Sequence, residues 1–214
     1  MLTSPTSRRA FLELAAAAGV AATGVSPALA QNVSLKDLLA EQALPDVWEG
    51  KADAPVTIIE YASMTCGHCA HFHETTYPIL KSKYIDTGKV RFTLREFPLN
   101  PPAVAGFMLA RCSGEAKRGA MIGLLFAQLN NWAADNNIVQ NLSKLVRQTG
   151  MSEEAFNACL SDRDLYAKVT QVYDAASKKY GVNATPTFFI NGERISGAMS
   201  PEELDKKLAP LLKG

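Results

Sequence analysis

The sequence predicts an α/β layer interrupted by a block of helices. Three observations predict it. A continuous apolar run, "APVTIIEYAS", and an alternating one, "KVRFTLREFPL", read as strands on either side of a helix-periodic segment. Strand signals then stop over residues 101–180, where successive segments carry helical periodicity. They resume in "TPTFFING" and "ERISGA", ahead of a closing helix. The order strand, helix, strand, helical block, hairpin, helix is not repeated βαβ winding.

Residues 31–47 read as a short amphipathic lead-in, with Leu35, Leu38 and Leu39 at helical spacing after a Ser34 cap. The first strand is bounded by Pro55, is rich in β-branched and aromatic residues apart from Glu60, and reads as buried. A helix from Thr65 onward places Phe72, Tyr77, Ile79, Leu80 and Tyr84 on its apolar face, and Pro78 is expected to kink it. The second strand sets Val90, Phe92 and Leu94 against charged neighbours. Pro101 and Pro102 open the helical block, Ser152 caps a helix within it, and Gly150 and Gly181 end helices. Asn191-Gly192 is a hairpin turn signal. Ser200, Pro201, early acids and late lysines mark the last helix. The expected organisation is therefore a sheet-bearing domain at 48–100 and 181–214, with 101–180 inserted as a helical subdomain.

The 214 residues are 47% apolar and 20% charged, with a formal net charge of +1. No basic block or acidic tail points to nucleic acid or a membrane surface as partner. Residues 1–30 look like an export signal. Arg8 and Arg9 precede a mild Ala/Gly-rich run that ends at the small-x-small pair Ala28 and Ala30. The string Ser7-Arg8-Arg9-Ala10-Phe11-Leu12 resembles the twin-arginine signal; an ordinary secretion signal holding two arginines is the alternative. Removing Arg8, Arg9 and Glu13 from 22 basic and 21 acidic residues leaves 20 of each. The expected address is the periplasm, where four cysteines suggest two disulfides.

"YASMTCGHCAHFHE" holds two of the four cysteines and all three histidines. A metal site is one reading, with Cys66, Cys69, His71 and His73 as ligands. Structural zinc sites draw ligand pairs from separate segments, and no second pair exists here. A stapling disulfide would close too small a loop to constrain the unfolded chain. Redox exchange is the stronger reading. A cysteine at a helix N-terminus meets unpaired N–H groups and the positive dipole end, which favour thiolate, the attacking species. Cys66 fits that place, and Cys69, one turn in, could resolve a mixed disulfide. Gly67 lets a substrate backbone approach, and His68 can set a positive charge or hydrogen bond beside the Cys66 sulfur. A stabilised thiolate makes the disulfide form a stronger oxidant. His71 and His73 read as exposed or groove-lining.

"TIIEYASMTCGHCAHF", the helical block and "ATPTFFING" resemble the DsbA-like thiol:disulfide oxidoreductases of the thioredoxin superfamily, over residues 46–213. The resemblance implies a thioredoxin-like fold with a helical insertion. It also implies an exported, monomeric enzyme that introduces disulfides into other envelope proteins, without metal or organic cofactor. Its partners would be folding proteins with free thiols and a DsbB-like membrane quinone reductase that reoxidises it. Cys66 and Cys69 would be the catalytic pair. Thr185-Pro186 would be the family's cis-proline dipeptide, exposing backbone for strand-like pairing with substrate; sequence alone gives a trans proline at a strand start. Glu60 would be the buried acid that takes or gives the Cys69 proton; a solvated edge glutamate is the alternative. The Cys-Gly-His-Cys spacing departs from the Cys-Pro-His-Cys frequent in DsbA proteins and matches disulfide isomerases, so an isomerase or reductase using the same residues stays open.

Cys112 and Cys159 lie in the helical block. The envelope address favours their pairing, and some DsbA-like proteins carry a second pair. Closing that loop would stabilise by about 4 kcal/mol in the chain-entropy model. Two buried free thiols are the alternative.

Overall fold

The computed structural model describes residues 32–134 and 136–213. The export signal expected over residues 1–30 lies outside them. Its elements in chain order are α1 (Leu35–Leu38), β1 (Val56–Ala62), α2 (Gly67–Thr75), α3 (Tyr77–Leu80), β2 (Val90–Glu96), α4 (Pro101–Cys112), α5 (Glu115–Ala127), α6 (Leu129–Trp132), α7 (Ile138–Arg147), α8 (Glu153–Ser161), α9 (Arg163–Tyr180), β3 (Thr187–Ile190), β4 (Glu193–Ser196) and α10 (Pro201–Leu208).

The sheet runs β2-β1-β3-β4. β1 pairs parallel with β2, which requires the α2–α3 crossover, and antiparallel with β3; β3 and β4 form a hairpin. Asn191 and Gly192 both take positive φ, +48° and +95°, as the predicted two-residue turn demands. All seven β1 residues are buried, so helices cover both faces of the sheet centre.

β2 departs from the expected alternation. Thr93, Arg95 and Glu96 are buried along with the apolar positions. The physical reason is a set of charge-paired hydrogen bonds contributed from distant segments. Arg95 forks onto Asp46 at 2.8 and 2.7 Å, donates to the Tyr61 hydroxyl at 2.8 Å and reaches the Leu38 carbonyl. Glu96 accepts from Arg111 at 2.8 Å and Arg118 at 2.9 Å. Burial pushes the Glu96 carboxyl up, but the Arg118 and Arg111 charges outweigh it and hold its pKa below the usual carboxylate value. The lead-in is thereby fastened to the sheet through Asp46, and also through a Val33 N–H to Gly192 carbonyl bond of 3.0 Å.

The expected helix from Thr65 begins at Gly67 and breaks at Thr76, two residues before Pro78. Pro78 has no N–H, and its ring would collide with the carbonyl of Glu74, so the ladder ends there. The Thr76 hydroxyl donates to the Met199 carbonyl at 2.8 Å, and a π turn over Lys81–Ile85 follows. At the other end of the chain α10 carries a full capping box between Ser200 and Glu203.

The inserted helices are held against the start of α2. Asn100 caps α4 and accepts from the Thr65 hydroxyl at 3.1 Å. Gly106 lies so close to Met64 that a Cβ there would stand 3.0 Å from its side chain, which is why α4 presents a glycine at that contact. Cys112 at the end of α4 is disulfide-bonded to Cys159 of α8, joining two parts of the insertion.

Candidate redox site

β1 ends at Ala62, and the chain turns through a Cys66 N–H to Ser63 carbonyl bond of 3.0 Å into α2. Cys66 is the N-cap of α2, with extended backbone and its carbonyl accepting from Ala70 at 3.0 Å. Its side chain is half-buried, whereas Cys69 is fully buried. Both are free thiols here. Gly67 and His68 are exposed, and the space where a Gly67 Cβ would stand is open.

The Thr185–Pro186 peptide is cis. It brings the Thr185 carbonyl to 3.4 Å from the Cys66 Sγ, across the helix terminus. The Gly197 N–H holds the Pro186 carbonyl at 2.8 Å, anchoring that loop to the far end of β4.

These surroundings split the two thiols. A hydrogen bond from Cys69 is the largest influence on Cys66. Burial opposes it, and the Thr185 side chain with the Cys69 and His68 backbone groups adds to it, bringing the Cys66 pKa down to about 5. The Thr185 hydroxyl is buried with no hydrogen-bond partner among the described residues, and the bond Cys66 makes to this residue goes to its backbone carbonyl. Burial pushes the Cys69 thiol far up, with the hydrogen bond to Cys66 and the Glu60 charge acting in the same direction. At neutral pH the reduced pair is one thiolate and one thiol. The thiolate is the reachable sulfur.

Glu60 sits in mid-β1, fully buried; a solvated edge position does not apply. Its Oε2 is 2.8 Å from His73 Nε2, and its Oε1 has no partner among the described residues. His71 is exposed, as expected. Of the two expected places for His73, exposed or groove-lining, the structure has the second: its side chain is only 6% exposed, faces Glu60 and forms part of a pocket wall. An acid inside the apolar run "VTIIEYA" needs a buried partner, and His73 follows Cys69 by four residues on the same face of α2. That spacing was the available signal for the pair. The Asn100–Thr65 and Gly106–Met64 contacts had no comparable signal. Among the described residues, no three His, Cys, Asp or Glu side chains converge as a metal-binding group.

A model of the thioredoxin family matches residues 42–209. A Rickettsia bellii protein, provisionally named protein-disulfide oxidoreductase, is 32% identical over 148 residues, 69% of this chain. The match spans a little over half, 57%, of that relative's length. The crystal structure of Wolbachia pipientis alpha-DsbA1 superposes with a TM-score of 0.76 at 30% identity, covering 82% of this chain and 94% of that one. Oxidised BdbD from Bacillus subtilis shares the fold, with a TM-score of 0.70 at 21% identity over 79% of this chain and 94% of that one.

Proposed function

This chain is a DsbA-like member of the thioredoxin superfamily, and from there we propose that it is a protein disulfide oxidoreductase that introduces disulfides into exported proteins. The observation that carries this reading is the pairing of a reachable thiolate at Cys66 with a sealed thiol at Cys69, beside the cis Thr185–Pro186 peptide.

The cycle runs on those groups. A substrate thiolate bonds to Cys66 Sγ, the Cys66–Cys69 bond breaks, and its electron pair leaves on Cys69, which takes up a proton. A second substrate thiolate attacks the substrate sulfur of the mixed disulfide and expels Cys66 as a thiolate. The substrate loses two electrons and two protons. The enzyme keeps the electrons and one proton, and the other proton goes to water. Residues near Thr185 pair with the substrate backbone, and Gly67 leaves room for its approach. A low Cys66 pKa stabilises the reduced form, so electrons flow from substrate to enzyme. That direction favours oxidase over the isomerase or reductase suggested by the Gly67-His68 spacer. Residues 1–30 direct the chain to the periplasm and are removed. Residues 48–100 and 181–214 form the exchange domain, with 101–180 as its helical cover. A DsbB-like membrane quinone reductase restores the Cys66–Cys69 disulfide.

The test is oxidative refolding of a reduced, unfolded ribonuclease, alongside equilibration with glutathione. The wild type speeds disulfide formation, Cys66→Ser does not, and Cys69→Ser accumulates a mixed disulfide through Cys66. Full activity in Cys66→Ser would overturn the assignment. A potential near that of thioredoxin, about −270 mV, would reverse the direction of electron flow.

A further inference from the structure

The geometry points to His73 as the outlet of a proton path that serves Cys69 through Glu60. This rests on the exchange reading above. Each turn of that cycle requires Cys69 to gain one proton and later lose it, yet its side chain is fully buried. Water cannot reach the sulfur directly, so protein groups must carry the proton.

Glu60 is built for one leg of that path. It is completely buried, one carboxyl oxygen has no partner among the described residues, and the other is 2.8 Å from His73. Its partner His73 follows Cys69 by one turn on the same face of α2, which sets the carboxyl beneath that turn. A carboxyl with one free and one bonded oxygen can give a proton from one side and receive it at the other.

His73 supplies the second leg. Its ring is stacked between Tyr77 and Phe126, with centroids 4.9 and 4.6 Å away and both interplanar angles 29°. The two stacks fix the ring plane with Nε2 on Glu60. The same side chain lines a pocket of about 390 Å³ beside Gly67 and Ala70, and a second cavity of about 460 Å³ behind it. Water in either space can exchange protons with the imidazole. Other charged groups stand around it: His71 and Glu74 from α2 in the first pocket, and Lys81, Glu115 and Arg118 in the second. Tyr77 from α3 gives its hydroxyl to Glu49 at 2.6 Å, not to the ring. Among the described residues, Glu60 is the hydrogen-bond partner of His73.

When the Cys66–Cys69 bond breaks and the electron pair leaves on Cys69, Glu60 gives that sulfur its proton. His73 replaces the proton on Glu60 and recovers its own from pocket water. Reoxidation runs the same transfers backward. Among the described residues no hydrogen bond joins His73 to either sulfur, so it is a positioning residue that acts through Glu60.

The experiment is stopped-flow reduction of the oxidised full chain by dithiothreitol across about pH 5 to 8, the range in which an imidazole ordinarily titrates. His73→Gln keeps a hydrogen-bond donor for Glu60 but has no titratable group; His73→Ala leaves a gap on the pocket wall. Both variants should react about tenfold slower or more, with a flattened pH profile. Added imidazole should restore His73→Ala several-fold and leave His73→Gln unchanged, while the Cys66 thiolate titration stays as in the wild type. A His73→Gln rate and pH profile equal to wild type would overturn the inference. So would a folded, slowed His73→Ala that imidazole does not restore. If His73→Ala does not fold, His73→Gln decides alone. A wild type that performs no exchange would instead sink the parent reading, and this one with it.

Discussion

Cys66 Sγ lies 3.4 Å from the backbone carbonyl of Thr185, a residue 119 positions later in the chain. That contact ties the helix start to the cis-proline loop, so a substrate reaching the sulfur also meets the half-buried Thr185. Both segments rest on adjacent, antiparallel strands, β1 and β3, whose pairing sets their separation.

The first prediction concerns acidity and stability. Absorbance titration of the reduced protein should show a thiolate forming at about pH 5, assigned to Cys66 by its loss in Cys66→Ser. Its folded pKa lies below the unfolded thiol value of about 8.5. A depressed pKa contributes stability that is fully present above the unfolded value and lost as pH falls through the folded one. The reduced form should therefore gain thermal stability over the oxidised form as pH rises from about 5 to about 8. The oxidised form has no such thiolate. Above about 8.5 the sign turns, because Cys69 ionises only in the unfolded chain. Differential scanning calorimetry of both redox forms across this range checks it.

The second prediction separates the two cysteine pairs. Cys112 and Cys159 are 47 positions apart and join α4 to α8, away from the α2 terminus. Replacing both by Ser should cost about 2–4 kcal/mol, read as a lowered urea midpoint. The Cys66 titration should stay near pH 5, because no group that sets it belongs to this pair. A large movement of that titration would mean the second disulfide positions the redox site as well as the insertion.

Much of the fold was legible because local signals agreed. β1 is mostly apolar and buried throughout; the β3–β4 turn carries Asn191-Gly192; α10 has its cap written in Ser200 and Glu203. What was not legible depended on distant partners. Arg95 and Glu96 look like solvent-facing charges until Asp46, Arg111 and Arg118 are folded against them. The same is true of His73. Its partner Glu60 is on another element, and only the cost of burying an unpaired acid hinted that a partner had to exist. Pro78 did signal a break in the helix. The break falls at Thr76 because the collision is with the carbonyl four residues before the proline.

The last prediction uses Gly67. It is the first residue of α2, directly after the Cys66 cap, with open space where a side chain would begin. Proline is favoured at that position, since its fixed φ suits the helix and its missing N–H has no partner within the helix. Gly67→Pro should therefore keep the fold, with unchanged circular dichroism. The backbone groups that lower the Cys66 pKa belong to Cys69 and His68, so the substitution leaves them in place. The thiolate titration should remain near pH 5. Because thiolate stabilisation is what stabilises the reduced form, the glutathione equilibrium should move little as well. A shift of 30 mV, about 1.4 kcal/mol for two electrons, is large enough to measure. If Gly67→Pro moved the potential by several times that amount while the titration stayed put, the spacer would be acting on the disulfide form rather than on the Cys66 thiolate. The oxidising direction would then have to be argued from strain in the closed pair instead.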